Sequence, residues 1–266
     1  MENRINYLVT AKTDVGIVKD TNQDSLTVKL IKMKEGKIVL AVICDGMGGL
    51  QKGEEASGGL VHAFSKWFYE SFLTNPSQCN IQKEWRRLLD GENEKIRQFG
   101  DKHGVVLGST ICVMLIYQEH YYILNVGDSR AYLFSKGEMY QLTQDQSLVA
   151  DEVRKGILTP EQALTDKRRS VLLQCVGVHE KVHPDFYAGQ VHADEIFMLC
   201  SDGFHHELSK EEMLDAFNPE KMEKQEYMSS IANTLIERDK DRMERDNISV
   251  IIIRVLEEEE EYQEEE

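Results

Sequence analysis

Two hydrophobic rhythms alternate along the chain. Short apolar, β-branched runs bounded by turn residues occur at Lys37–Cys44 (KIVLAVIC), Ser109–Tyr117, Tyr121–Val126, Arg130–Phe134, Glu195–Cys200 and Ile248–Val255, and each predicts a strand. Elsewhere apolar residues recur at three- and four-residue steps. Within Ser57–Leu73 they are Leu60, Val61, Phe64, Trp67, Phe68 and Phe72; within Ile81–Phe99 they are Ile81, Trp85, Leu88, Leu89, Ile96 and Phe99. Such stripes predict amphipathic helices laid on a core, with no ligand role. Ser209–Phe217 and Gln225–Arg238 also read as helices, and Thr159-Pro160 supplies a helix start within Ser147–Ser170. Strands come in consecutive groups with helices inserted in bulk, which predicts an α+β fold with antiparallel pairing rather than a doubly wound parallel sheet. Tight spacing from Ser109 to Leu142 reads as a meander of hairpins.

Composition narrows the picture. The 266 residues are 41% hydrophobic with only 4 Pro, the profile of a globular chain. No repeat and no Pro/Gly/Ser-rich linker divides it, so one domain is expected over residues 1–255. The acidic block 256–266 (LEEEEEYQEEE) is expected to be a disordered, solubilising tail. No apolar run approaches the roughly 18 to 20 residues of a membrane helix. Met1-Glu2-Asn3-Arg4 lacks the build of a signal peptide, and five cysteines without a CxxC pair suit a reducing cytoplasm. The net charge is -16, half of it from acids after Leu256. An acidic body speaks against nucleic acid, but not against a phosphorylated substrate where bound metal ions reverse the local charge.

Candidate chemistry gathers at four aspartates. Apolar strands run into Asp45 (KIVLAVIC-Asp45-Gly46), Asp128 (YYILNVG-Asp128) and Asp202 (EIFMLCS-Asp202-Gly203), and Asp246 stands just before NISVIIIRV. Carboxylates at the rim of a core are costly to desolvate and repel one another. A hard divalent cation, Mg²⁺ or Mn²⁺, resolves both problems, because it takes oxygen ligands from carboxylates, carbonyls and water. One Asp-Gly after a strand is ordinary turn chemistry; four such sites point to metal. Gly46, Gly48 and Gly49 allow a sharp turn and a close backbone approach, and could present the Gly46 carbonyl to the ion at Asp45. Neither GxxxxGK[ST] nor GxGxxG is present, which excludes nucleotide binding by those motifs.

A set of motifs then runs in order: Thr13-Asp14-Val15-Gly16-Ile17-Val18-Lys19-Asp20-Thr21-Asn22-Gln23-Asp24-Ser25, Val42-Ile43-Cys44-Asp45-Gly46-Met47-Gly48-Gly49, Gly108-Ser109-Thr110, Asn125-Val126-Gly127-Asp128-Ser129-Arg130-Ala131-Tyr132, Leu142-Thr143-Gln144-Asp145, Cys200-Ser201-Asp202-Gly203 and Arg245-Asp246-Asn247-Ile248. By these motifs the chain resembles the bacterial metal-dependent serine/threonine protein phosphatases of the type 2C (PPM) family. The resemblance implies an antiparallel β-sandwich flanked by helices, with a metal site in the cleft at one end. It implies that Asp45 bridges two ions (Mn²⁺ or Mg²⁺), that the Gly46 carbonyl joins one of them, and that Asp202 and Asp246 complete the pair. Asp128 with Asp202 would hold a third, weaker ion; Asp24 would act through hydrogen bonds or waters, and Asn247 would orient Asp246. A water activated between the ions would attack phosphorus in line, with no covalent phosphoenzyme, so the cysteines are not nucleophiles and Cys44 and Cys200 are structural.

The chain departs from that family pattern in places. Lys19 stands where many members have Arg; it remains the phosphate-binding candidate, without the bidentate fork. Gln23 replaces a frequent Glu, weakening one water-mediated contact. Met47 stands where animal members carry a histidine proposed as general acid, leaving a metal-bound water to protonate the alkoxide. His205 and His206 are expected at the surface, and His62 is expected to be structural or solvated. The family forms a mobile flap around Ser147–Ser170, and its basic cluster Lys167-Arg168-Arg169 either meets phosphopeptides or is a solvated turn. The expected partners are phosphorylated proteins and an opposing Ser/Thr protein kinase, with neither nucleic acid nor membrane. The rival reading is a pseudophosphatase, a binding module that keeps the fold without turnover; a hydrolase of small phosphate esters is a third.

Overall fold

Lys37–Cys44 is apolar at every inner position because both faces of its strand are covered. Ile38, Leu40, Val42 and Cys44 pack toward helices, while Val39, Ala41 and Ile43 pack into the space between two sheets. The computed structural model describes residues 5–34, 36–48 and 52–257. In chain order its strands are β1 (Ile5–Asp14), β2 (Asp24–Met33), β3 (Gly36–Gly48), β4 (Leu107–Ser109), β5 (Ile111–Tyr117), β6 (His120–Val126), β7 (Arg130–Ser135), β8 (Glu138–Gln141), β9 (Asp185–Gln190), β10 (Ile196–Cys200) and β11 (Ile248–Glu257). Its helices are α1 (Gly53–Glu70), α2 (Ile81–His103), α3 (Leu148–Arg154), α4 (Pro160–Thr165), α5 (Asp202–His205), α6 (Lys210–Ala216) and α7 (Gln225–Asp241).

One sheet has the order β1-β11-β10-β7-β8 and the other β2-β3-β5-β6-β9, with β4 beside β3; every pairing is antiparallel. The sheets face each other across Met114, Ile123, Phe197, Leu199 and Ile251. Phe64 and Trp67 of α1 and Trp85 and Leu89 of α2 cover one outer face, and Met213 of α6 with Met228 and Leu235 of α7 cover the other. The architecture is therefore a helix-flanked antiparallel sandwich, as the α+β pattern predicts. Burying each such Leu, Ile or Phe contributes roughly 1.5–3 kcal/mol.

Several boundaries differ from the sequence expectation. Ser109–Tyr117 is broken at Thr110 into β4 and β5. The meander is interrupted: β6 and β7 are not partners, because the chain crosses from one sheet to the other through Gly127-Asp128-Ser129. Asp45 lies within β3, which continues to Gly48. β11 runs on to Glu257, with Leu256 and Glu257 opposite Asn6 and Ile5, so the strand passes the expected boundary at 255. Residues 258–266 of the acidic tail, like Gly49 and Met1–Arg4, lie outside the described residues. Among the described residues no helix is long and apolar enough to cross a membrane. All five cysteines are free thiols, with Cys44, Cys112, Cys175 and Cys200 buried.

Candidate metal centre

The predicted aspartates meet where the two sheets open at one end of the sandwich. Asp24 begins β2 directly opposite Asp45 on β3. The Asp45 backbone is clamped on both sides: its N–H donates to Thr110 Oγ1 (2.9 Å), and its carbonyl accepts from the Thr110 N–H (2.9 Å) and Ser109 Oγ (3.0 Å). Ser129 Oγ lies 2.7 Å from Thr110 Oγ1, which joins the loop of Asp128 to the same clamp. Asp202 is the first residue of α5, and Asp246 sits in the turn between α7 and β11. Small hydroxyl residues lie beside several of these aspartates, Ser109 and Thr110 at the Asp45 backbone, Ser129 after Asp128 and Ser201 before Asp202.

Asn247 ties this end together. Its Oδ1 accepts the Gln23 N–H (2.8 Å), and its Nδ2 donates to the carbonyls of Val15 (2.9 Å) and Thr21 (3.2 Å). The sequence expectation that Asn247 orients Asp246 has a counterpart in its backbone N–H, which donates to Asp246 Oδ1 (2.8 Å). Its side chain in addition fastens the 15–23 loop, which carries Lys19 and leads into Asp24, onto the start of β11. Gly16 completes that junction, since it has φ +76° and a Cβ there would lie 2.4 Å from the Asp246 carbonyl oxygen. Gly46 is required for the same kind of reason: a Cβ would meet the Gly53 carbonyl oxygen at 2.3 Å.

Charge crowding is the dominant electrostatic fact. Burial, then the charges of Asp24, Asp202, Asp246 and Asp128, push the Asp45 carboxyl well above the usual carboxylate range. Burial first, with Asp202 and Asp145 adding and His206 and Arg130 opposing, lifts Asp128 to about 8. Asp24 rises to about 7, again mainly by burial, although the Ser249 and Ser201 hydroxyls pull it down. Asp202 is raised by burial against the opposing charge of His206, and its Oδ1 is buried without a hydrogen-bond partner. The one cation from the first motif is Lys19, whose Nζ lies 3.0 Å from Asp246 Oδ1. Burial lowers its pKa, but the hydrogen bond to Asp246 and the charges of Asp246, Asp45 and Asp202 outweigh it and hold the ammonium above the usual lysine range.

Such a donor set fits hard divalent cations, being all oxygen, short of protons' worth of positive charge, and with an orphaned carboxylate oxygen at Asp202. Among the described residues no three His, Cys, Asp or Glu side chains enclose a ready-made ion site. Asp246 is turned to Lys19 and Asp202 to His206, at 3.0 Å and 3.8 Å. Magnesium-like ions ordinarily draw only one or two carboxylates each and complete their shells with water and carbonyl oxygen.

A sequence profile described as Protein phosphatase 2C matches residues 17–242. The chain belongs to the protein phosphatase 2C family. Among its relatives is the protein phosphatase PhpP of Streptococcus pneumoniae, 32% identical over 209 residues, which covers 78% of this chain and 82% of that one. The serine/threonine phosphatase Stp1 of Staphylococcus aureus has a similar solved structure, with TM-score 0.82 and 25% identity, covering 96% of this chain and 97% of that one. The catalytic domain of the serine/threonine phosphatase PstP, solved with two manganese ions, gives TM-score 0.79 and 25% identity, covering 95% and 100%. Serine/threonine protein phosphatase activity is the function that this membership carries.

Within this phosphatase 2C cleft the structure corrects two expectations. His205 and His206 are not surface residues. His205 is buried, and its Nε2 has no hydrogen-bond partner among the described residues; burial, with Arg130 and His206, holds its pKa well below the usual histidine range. His206 lies between Asp202 and Glu244. The basic cluster of the flap is also partly consumed: Arg168 pairs with Glu152 (2.7 Å) and Asp166 (2.8 Å), bracing α3 against the segment after α4. Thr159 begins α4 with a capping box, as its sequence signal predicts, and His62 is exposed on α1. Sequence reasoning did not assign the Arg130–Asp145 pair (2.6 Å), which holds the 142–145 strap beneath the Asp128 loop; its only signal was that both motifs were present.

Proposed function

We propose that this chain is a Mg²⁺- or Mn²⁺-dependent phosphatase that removes phosphate from phosphoserine and phosphothreonine in proteins. The observation that carries the reading is the convergence of Asp24, Asp45, Asp128, Asp202 and Asp246 on one rim, where each of the first four is forced upward in pKa. The PstP domain solved with two manganese ions supports the same metal class. In this reading Asp45, the Gly46 carbonyl, Asp202 and Asp246 hold two ions, and Asp128 with Asp202 holds a third. When bound, the ions polarise the phosphoryl group and lower the pKa of water enough to make it a nucleophile near neutral pH.

The chain's own residues then divide the work. Thr110 and Ser109 hold Asp45 by its backbone, so its carboxylate cannot retreat from the cluster. Asp24 braces the opposite strand. Lys19, held at the carboxylates by Asp246, places a point charge where phosphoryl oxygens gain charge as the P–O bond to the serine or threonine breaks. Burial, with Arg130 and His206, keeps the His205 ring short of the proton that a leaving-group acid needs. A Ser/Thr protein kinase is the opposing activity that this reading calls for.

Hydrolysis of p-nitrophenyl phosphate and of a phosphothreonine peptide tests it. Turnover should require added Mn²⁺ or Mg²⁺ and vanish with chelator, while Cys44→Ala leaves it intact. Turnover that survives chelation overturns the metal requirement, and none with saturating metal leaves the fold as a binding module.

A further inference from the structure

Two residues outside the proposed ligand set bridge two of its members. The turn after α7 is unusual: Met243 adopts φ +68°, a left-handed conformation that costs an ordinary side chain about 1–2 kcal/mol. Glu244 follows it, 4% exposed, and Oε1 of its carboxylate accepts the N–H groups of Arg245 (2.6 Å) and Asp246 (2.9 Å). Its own N–H donates to the Asp239 carbonyl at the end of α7 (3.0 Å). The other carboxylate oxygen, Oε2, faces His206 Nδ1 at 3.6 Å, and His206 Nε2 faces Asp202 Oδ2 at 3.8 Å. One buried carboxylate thus holds Asp246 by its backbone, while its Oε2, which has no hydrogen-bond partner among the described residues, faces the imidazole ring that in turn faces Asp202.

We propose that Glu244 and His206 are positioning residues that lock Asp202 and Asp246 into one pair, so that this chain presents both carboxylates to metal preorganised. The inference rests on the reading of Asp202 and Asp246 as metal ligands. Outer partners of metal ligands typically contribute 10- to 100-fold in affinity, and residues acting through one linkage are non-additive.

Isothermal titration of Mn²⁺ into the chelator-stripped full chain tests it, alongside thermal melting without metal. Glu244→Gln keeps an oxygen for the two N–H groups but removes the charge that faces His206; His206→Ala removes the ring. Each should weaken Mn²⁺ binding about 10- to 100-fold, the double variant should bind no more weakly than the worse single one, and turnover at saturating Mn²⁺ should change far less than the Mn²⁺ concentration it needs. If Glu244→Gln does not fold, His206→Ala decides alone. Lower melting temperatures with unchanged Mn²⁺ affinity would mean a merely structural role and overturn the inference, as would fully additive losses. A wild-type chain that neither binds Mn²⁺ nor hydrolyses the phosphopeptide overturns the phosphatase reading itself, whereas variants that match a competent wild type overturn only the positioning role.

Discussion

Asp45 and Asn247 act at this site in opposite ways, one by its charge and the other by its hydrogen bonds. Asp45→Asn keeps the shape and the backbone clamp from Thr110, but removes the carboxylate shared across the cluster. Its kcat should fall by at least about 10²–10³, the scale of losing one well-placed stabiliser of transition-state charge, while the metal-free melting temperature rises because a repelling carboxyl is gone. Asn247→Ala does the reverse. It strands the Gln23 N–H and the carbonyls of Val15 and Thr21, at about 1–3 kcal/mol for a buried group left unpaired. Denaturant melts should show that loss, and activity should drop further because Lys19 rides on the released loop.

Among the elements, the Arg130–Asp145 pair gives the sharpest test. Asp145→Ala leaves a guanidinium with Tyr132 as its one hydrogen-bond partner among the described residues, and stability should fall by about 3 kcal/mol in urea denaturation. Legibility in the sequence follows burial. β3, β5, β10 and β11 are covered on both faces and stand out as apolar runs. β1, β2 and β9 are half-buried along most of their length and mix polar with apolar residues, so their pattern is weak. The aspartates were legible because a carboxylate beside an apolar strand is conspicuous. Asn247's hold on the 15–23 loop and the lodging of His206 between Asp202 and Glu244 were not, since both depend on residues brought together from opposite ends of the chain.

For the molecule as a whole, the raised carboxyls set a pH dependence. Asp24 and Asp128 have folded pKa values of about 7 and about 8 against an ordinary 3.8, so between those limits the folded state holds more protons than the unfolded one. Stability then falls as pH rises, because unfolding releases protons. In chelator the melting temperature should decline from about pH 4 to about pH 8, by about 2–4 °C for each kcal/mol lost, and saturating Mn²⁺ should abolish the decline. A flat profile in chelator would mean that the carboxyls are not crowded as described.

β11 has a further consequence. Among the described residues it is the last strand in chain order, yet it lies between β1 and β10, and the turn leading into it carries Asp246. A nascent polypeptide still short of that strand lacks an interior strand of one sheet and part of the cleft. Such long-range pairing is slow to form, so phosphatase activity should appear only once the chain carries β11.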